Sequence, residues 1–357
     1  MKNDRRQSAK GWPIWVASGG INFFGQGWLF HQWLKWLHKW VLFWLAGLTW
    51  LGALKVFKTS TLYLQAGNMP LDQETLMPTE RFPKCIYVRP WQWLLGVALN
   101  AVGLSGPGFK DLLERGFWQK LTEYFQISLM PIGPKETWEE QWRGCLRLLG
   151  KHFKDFLSPF GLQLNGSCPN VRVGEAMTEI VEKILRMLDA ISEFPFMKEV
   201  EVFVKIAVTM SPADAARIAA HPNCAGLVVS NTVPFGWFGI PKWKWLFWFP
   251  FSLRFDFSAG WRHLSIRLVS PLAKFGGGGL SGAGLFPLLV KWLKEFRTID
   301  SNSYVNAGGG ILKAKQVDRL FAVGANSISI GSIAFLRWWR MADVIEHAYL
   351  AFHRLVR

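Results

Sequence analysis

Tyr304-Val305-Asn306-Ala307-Gly308-Gly309-Gly310 is a short strand-like run that closes on three glycines, and after one helical stretch Ser327-Ile328-Ser329-Ile330-Gly331-Ser332 repeats the design. Each half reads as a strand that ends in a turn of small residues and leads into a helix. Residues 314–323 supply the helix between them. Strand, tight turn, helix and second strand make a βαβ unit, which requires a parallel sheet. Glycines at such turns let backbone N–H groups approach a phosphate, and the following helix N-terminus favours the anion. The ordinary alternative is a pair of tight turns without a ligand. In an α/β barrel a phosphate site often follows strands seven and eight, so two such turns in succession favour the phosphate.

Working outward, the same alternation recurs along the 357 residues. Strand candidates are 14–18, 54–59, 97–101, 124–130, 160–165, 202–207, 226–230, 303–307 and 326–330. Helical periodicity covers 108–115, 138–156, 175–191, 212–220, 314–323 and 333–351. Nine strands are one more than a barrel holds, and 97–101 is expected to sit in an inserted hairpin. The polar residues gather just after the strands, at Ser18-Gly19, Lys58-Thr59, 165–170, Asn231-Thr232, 308–310 and Gly331-Ser332. Those ends meet on one face of a barrel, whereas a doubly wound sheet gathers fewer of them. The expectation is an α/β protein of the TIM (β/α)₈ type, with an inserted hairpin and loop region over its C-terminal face. One domain should span 1–357, with 1–13 as a tail and 60–100 and 236–270 as insertions.

Composition narrows the partners less than the motifs do. Half the residues are apolar, 21 are Trp, and the formal charge is +16. A basic, aromatic surface suits anionic partners such as nucleic acid, anionic lipid or a phosphate-bearing cofactor, although such charge also simply keeps an apolar protein in solution. Cys85, Cys145, Cys168 and Cys224 are scattered with no Cys-x-x-Cys pair, which argues against zinc, iron–sulfur or a disulfide scaffold, and no metal is expected. A reducing, cytoplasmic compartment fits, and the first sixteen residues lack a signal-peptide pattern. The segment 28–54 is rich in Trp, Leu and Phe but broken by His31, Lys35, His38 and Lys39. It reads as barrel helix plus strand, as a membrane-surface helix, or as a span; its uncharged part is shorter than the roughly 20 residues a span needs.

The sharpest chemistry lies in Asn165-Gly166-Ser167-Cys168-Pro169-Asn170. Two carboxamides bracket a cysteine at a strand end. Amides suit a substrate rich in amides and carbonyls, and a tuned thiolate serves as base or nucleophile. A buried cysteine in a turn held by asparagines is the plain alternative. The other three cysteines lack polar neighbours of this kind and read as core.

This loop resembles the Asn-x-Ser-Cys-Pro-Asn active-site loop of dihydroorotate dehydrogenases. The likeness extends through Val56-Phe57-Lys58-Thr59, Asn100-Ala101-Val102-Gly103-Leu104, Val204-Lys205-Ile206, Asn231-Thr232 and the glycine turns with Gly309, Gly310, Gly331 and Ser332. Ordered motifs in matching contexts are more specific than any one alone. The resemblance implies FMN and oxidation of dihydroorotate to orotate in pyrimidine biosynthesis. Cys168 would take a proton from the substrate ring while a hydride leaves the adjacent carbon for the flavin. Lys58, 100–104 (Asn100, Ala101, Val102, Gly103, Leu104), Asn165, Asn170, Asn231 and Thr232 would hold the substrate. Ala17, Ser18, Gly19, Lys58, Thr59, Asn165, Lys205, Ser230, Gly282, Gly309, Gly310, Gly331 and Ser332 would hold the cofactor, with Lys205 stabilising negative charge on reduced flavin.

Cysteine as base, with little chain before Ser18, resembles the soluble branch, whose acceptors are fumarate or, through a partner subunit, NAD; quinone stays open as an acceptor. So do a homodimer and a peripheral contact with the inner face of the membrane, whereas nucleic acid is not expected. FMN rather than FAD is expected because no Gly-x-Gly-x-x-Gly fingerprint opens an early βαβ unit. Two departures stand out. Gly166 replaces the usual apolar residue, which could loosen the loop, and 237–267 is unusually aromatic and basic. Two alternative readings therefore stand: a related pyrimidine-reducing flavoprotein, or a catalytically weakened barrel docked on membrane by its Trp-rich segments.

Overall fold

The computed structural model describes residues 8–28, 49–166, 177–229, 231–256 and 265–356. Cys168, Asn170 and Ser230 lie outside the described residues, as does most of 28–54.

In chain order the strands begin with β1 (Ile14–Val16) and β2 (Lys55–Val56), then β3 (Ile86–Tyr87) and β4 (Val97–Asn100). Four follow as β5 (Phe125–Leu129), β6 (Phe160–Asn165), β7 (Glu201–Ile206) and β8 (Gly226–Val229). Next come β9 (Val233–Pro234), β10 (Leu253–Asp256), β11 (Ser265–Leu268) and β12 (Gly279–Gly282). The last pair is β13 (Val305–Gly308) and β14 (Ser327–Ile330). Eight of them form one parallel sheet in the order β1-β14-β13-β8-β7-β6-β5-β2. The ring is closed where Val16 N–H donates to the Leu54 carbonyl (2.8 Å) and Leu54 N–H donates to the Ile14 carbonyl (2.9 Å). This is the (β/α)₈ barrel read from the alternating pattern.

The helices are α1 (Pro90–Leu95), α2 (Phe109–Glu114), α3 (Trp138–His152), α4 (Met177–Asp189) and α5 (Pro212–Ala219). They continue with α6 (Lys242–Trp248), α7 (Phe286–Ile299), α8 (Lys315–Ala322), α9 (Ile333–Leu336) and α10 (Met341–Val356). No helix among the described residues is long and apolar enough to cross a membrane.

The two-residue period of a strand explains what fills the barrel. Ile127, Leu129, Leu162, Leu164, Val202, Val204 and Ile206 alternate outward into the main core shared with the helices. Their neighbours point to the bore, and those change character along it. At the amino end Trp15, Val56, Phe203 and Val228 form an apolar cluster with Trp12 and Tyr124. Above it come Gln126, Ser128, Gln163, Asn306, Ser327 and Ser329, all buried. At the carboxyl end the same parity presents Asn165 beside Lys205, which are paired in register across β6 and β7.

β4 stands outside the ring. It pairs antiparallel with β3 and β12, and β12 pairs with β9, giving a four-stranded sheet in the order β3-β4-β12-β9. The glycine run 275–282 is thus a left-handed turn at Gly276, Gly277 and Gly278 that leads into a strand. A Cβ on Gly278 would lie 2.9 Å from the Asn100 carbonyl oxygen, so the turn closes tightly on β4.

Candidate active site

The carboxyl ends surround a cavity of about 1000 Å³. Lining it are Ala17, Ser18, Gly19, Lys58, Thr59, Asn100, Val102, Gly103, Leu104, Asn165, Lys205, Asn231, Thr232, Gly282, Gly309, Gly310, Gly331 and Ser332. These are the described residues that the sequence assigns to substrate and cofactor, with one exception. Ala101 is fully buried, gives its N–H to the Cys85 carbonyl (2.8 Å), and accepts at its own carbonyl from Asn68 Nδ2 (2.7 Å).

A single hydrogen-bonded chain joins six strands at or near their carboxyl ends. Asn231 Nδ2 donates to Asn165 Oδ1 (2.9 Å), and Asn165 Nδ2 donates to Thr59 Oγ1 (3.3 Å). Thr59 Oγ1 lies 3.3 Å from Ser18 Oγ and 2.8 Å from Ser128 Oγ. Lys205 Nζ donates to Ser18 Oγ at 2.8 Å. Each of these side chains is held by a neighbour on a different strand, so the amide faces and the ammonium are fixed before any ligand arrives. Lys58 is buried, gives Nζ to the Ser105 carbonyl, and sits 4.4 Å from the centre of the Phe23 ring. Asn100 projects from β4 and donates through Nδ2 to Ser281 Oγ on β12 (3.0 Å), which brings the outer sheet into the site.

The glycine positions are close backbone contacts. A Cβ on Gly310 would lie 2.4 Å from the Gly282 carbonyl oxygen, and one on Gly282 would lie 2.2 Å from that of Gly96. Both have positive φ, so a side chain meets strain as well as collision. Gln316 on α8 ties this turn down by donating to the Gly310 carbonyl and accepting from the Leu312 N–H. The result is bare backbone facing the cavity after β13 and β14, the arrangement that suits a phosphate.

Charge agrees with an anionic ligand. Among the described lining residues Lys58, Arg81, Lys84, Arg89, Lys205 and Lys274 face one carboxylate, Glu80. No motif pointed to Arg81, Lys84, Arg89 or Lys274; Arg81 and Lys84 arrive through the loop before β3, Arg89 through the N-cap of α1 just after it, and Lys274 through the turn before β12. Burial pushes the Cys85 thiol up to about 11 and that of Cys145 to about 12, and also raises half-buried Cys224 to about 11. Burial thus disfavours the thiolate form at all three. Gly166, the departure in the cysteine loop, is packed over: a Cβ there would lie 2.5 Å from Ile184 Cδ1 on α4. Ile184 therefore occupies the space a side chain at 166 would need.

No family model matches the chain. Among curated proteins it is similar to the dihydroorotate dehydrogenase B (NAD(+)) catalytic subunit of Geobacillus sp. (strain WCH70), 25% identical over 247 residues, or 68% of this chain and 66% of that protein. The protein of the same name from Staphylococcus carnosus (strain TM300) is 26% identical over 254 residues and 70% of each chain. The dihydroorotate dehydrogenase A (fumarate) of Lactobacillus delbrueckii subsp. bulgaricus is 21% identical over 242 residues and 66% of each. The chain thus spans about two thirds of the length of these relatives.

Proposed function

We propose that the chain is a member of the dihydroorotate dehydrogenase family of oxidoreductases, to which it is similar at 21–26% identity, and that it oxidises dihydroorotate to orotate with FMN bound in the carboxyl-end cavity. The observation that supports this most strongly is the chain of hydrogen bonds from Asn231 through Asn165, Thr59 and Ser18 to Lys205, beside a glycine-lined backbone cradle. Amide pairs match a ring that carries both donors and acceptors, the lysines match a carboxylate and a phosphate, and the bare turns at Gly309, Gly310, Gly331 and Ser332 match the phosphate end of a mononucleotide.

The residues that would hold FMN are Ala17, Ser18, Gly19, Lys58, Thr59, Asn165, Lys205, Ser230, Gly282, Gly309, Gly310, Gly331 and Ser332. When bound, the flavin supplies the acceptor for a hydride. Asn100, Asn165, Asn170 and Asn231 hold the substrate ring and carboxylate so that one face meets the flavin. Cys168, three residues beyond Asn165, takes the proton from the ring carbon next to the one that loses the hydride. Lys205 places a fixed positive charge where negative charge develops, and Lys58 does the same near the substrate. The final acceptor would be fumarate, NAD through a partner subunit, or quinone, and the names of the relatives favour the first two.

Heating the purified protein to release its pigment, with chromatography of the released flavin and of the product made from dihydroorotate, tests the proposal. FMN and orotate are expected. Recovery of FAD, or a bound flavin with no orotate formed, overturns it.

A further inference from the structure

α1 is built inside out. Its one polar interior residue, Gln92, is 2% exposed and donates through Nε2 to the Trp248 carbonyl, while Leu94 is 62% exposed and Trp91 and Trp93 are exposed beside it. α6 packs against it and also turns large aromatic side chains outward. Trp245 is buried, but Trp243 and Phe247, four residues apart on the outer face, are 63% and 50% exposed. Trp91 Nε1 donates to the Phe247 carbonyl (2.8 Å) and their rings meet at 5.6 Å, so the two helices present one continuous aromatic face. Phe251, three residues past the end of α6, is 81% exposed.

The segments that form this face bring cations to it, while Glu80 in the adjoining cavity and exposed Asp343 beyond Arg340 lie just outside them. No Asp or Glu occurs in 81–110, 215–255 or 319–342, the segments that supply this face. Arg89, Lys242 and Arg340 are exposed at its rim, and Arg337 clasps the end of α1 by donating to the carbonyls of Trp93 and Leu94 (2.8 Å each). Trp93, Pro90 and Arg89 also line the cavity, so the patch borders its mouth.

We propose that the α1–α6 face is a docking surface for an anionic lipid bilayer. Exposed aromatics and a leucine need apolar volume, and a predominantly cationic rim needs negative charge; the headgroup region of an anionic leaflet offers both within a few ångströms. Nucleic acid supplies the charge without apolar volume for Leu94, Phe247 and Phe251. A second copy of this face supplies the apolar volume but sets like charges against each other. Docking here turns the cavity mouth toward the membrane surface while the barrel stays outside it. This inference does not depend on which reaction the cavity performs.

Sedimentation of the full-length protein with vesicles tests it. Binding is expected to mixed phosphatidylserine–phosphatidylcholine vesicles, to weaken with salt, and to be largely absent on phosphatidylcholine alone. Trp243→Ser with Phe247→Ser should lower the partition coefficient on the order of tenfold or more. Lys242→Glu with Arg340→Glu should lower it by a similar factor. Leu157→Ser, at an exposed position at the opposite end of the barrel, should leave binding unchanged. Circular dichroism checks that each variant is folded, and the exposed charge pair keeps the test sound if the aromatic pair is not. Unchanged vesicle binding in folded charge or aromatic variants overturns the proposal. So does lipid-free self-association that the aromatic pair abolishes, or duplex DNA displacing the protein from vesicles.

Discussion

At the amino end of the barrel Trp15 packs edge-on against Phe203 (5.0 Å) and stacked on Tyr304 (6.1 Å); at the carboxyl end the same strands leave a cavity of about 1000 Å³. Both ends use the side chains that alternate into the bore. At one end Tyr124 donates to Glu201 (2.8 Å), Glu201 accepts from Ser8 Oγ and the Ala9 N–H, and large rings exclude solvent. At the other, polar groups are tied to each other but lie along open space, which gives up burial in exchange for a charged, pre-organised surface. The difference separates stability from chemistry, and substitutions at the two ends should fail in different ways.

The largest effect is expected at the loop following β6. Cys168→Ala should keep the flavin and slow its reduction by dihydroorotate by about 10²–10⁴-fold, as loss of a positioned base does. Stopped-flow rates with flavin occupancy measured in parallel check this, and near-normal rates in the fully loaded variant would remove Cys168 from the mechanism. The amino end should behave in the opposite way. Trp15→Ala is expected to cost about 3–5 kcal/mol of stability, from lost burial and the cavity left behind, with the reduction rate per bound flavin unchanged. Denaturant unfolding beside the same kinetics would show it, and a rate loss without a stability loss would contradict the division.

A third difference appears with pH. Burial, reinforced by Glu201, holds the Tyr124 phenol well above its usual range, and burial raises Tyr304 too; burial also takes Cys145 to about 12 and Cys85 to about 11. A folded-state pKa above the unfolded value gives stability that is present below the unfolded value and lost as pH rises towards the folded one. The thermal midpoint should therefore hold steady to about pH 8.5 and fall progressively above it, first from the thiols and then from the tyrosines. A midpoint flat to pH 11 would show that these groups are not buried as described.

Much of this was legible in the sequence because it is local. Every barrel strand announces itself by a short apolar run and a polar end, and the glycine turns after β13 and β14 mark their own backbone requirement. What was not legible depends on long-range pairing. β12 was hidden in the glycine run 275–282 because its partner, β4, lies far away in sequence, and nothing local signals an antiparallel match of that kind. Arg81, Lys84 and Lys274 reach the cavity only through that sheet, so no motif marks them. α7 escaped because Phe286-Pro287-Leu288-Leu289-Val290 is an unbroken apolar run, which conceals the helical period. The stretch 243–249 stood out as a departure, yet Trp245 and Phe249 within it are core residues, and only Trp243 and Phe247 remain on the surface.

The smallest expected effect concerns Gly166. Gly166→Ala should destabilise the protein, since its Cβ meets Ile184 Cδ1, and Ile184→Val, which deletes that methyl, should cost about 0.5–1.5 kcal/mol alone. Combined, they should cost less than the sum by about 1 kcal/mol, a coupling typical of touching residues. Strict additivity in a double-mutant cycle would show that Ile184 does not fill the site of the absent side chain.

The most direct test is an anaerobic titration of the purified, flavin-loaded protein with dihydroorotate, following the visible spectrum and quantifying orotate. We expect the flavin absorbance to bleach, with one orotate formed per flavin reduced. A fully loaded protein whose spectrum dihydroorotate leaves unchanged would contradict the assignment of the carboxyl-end cavity to this oxidation.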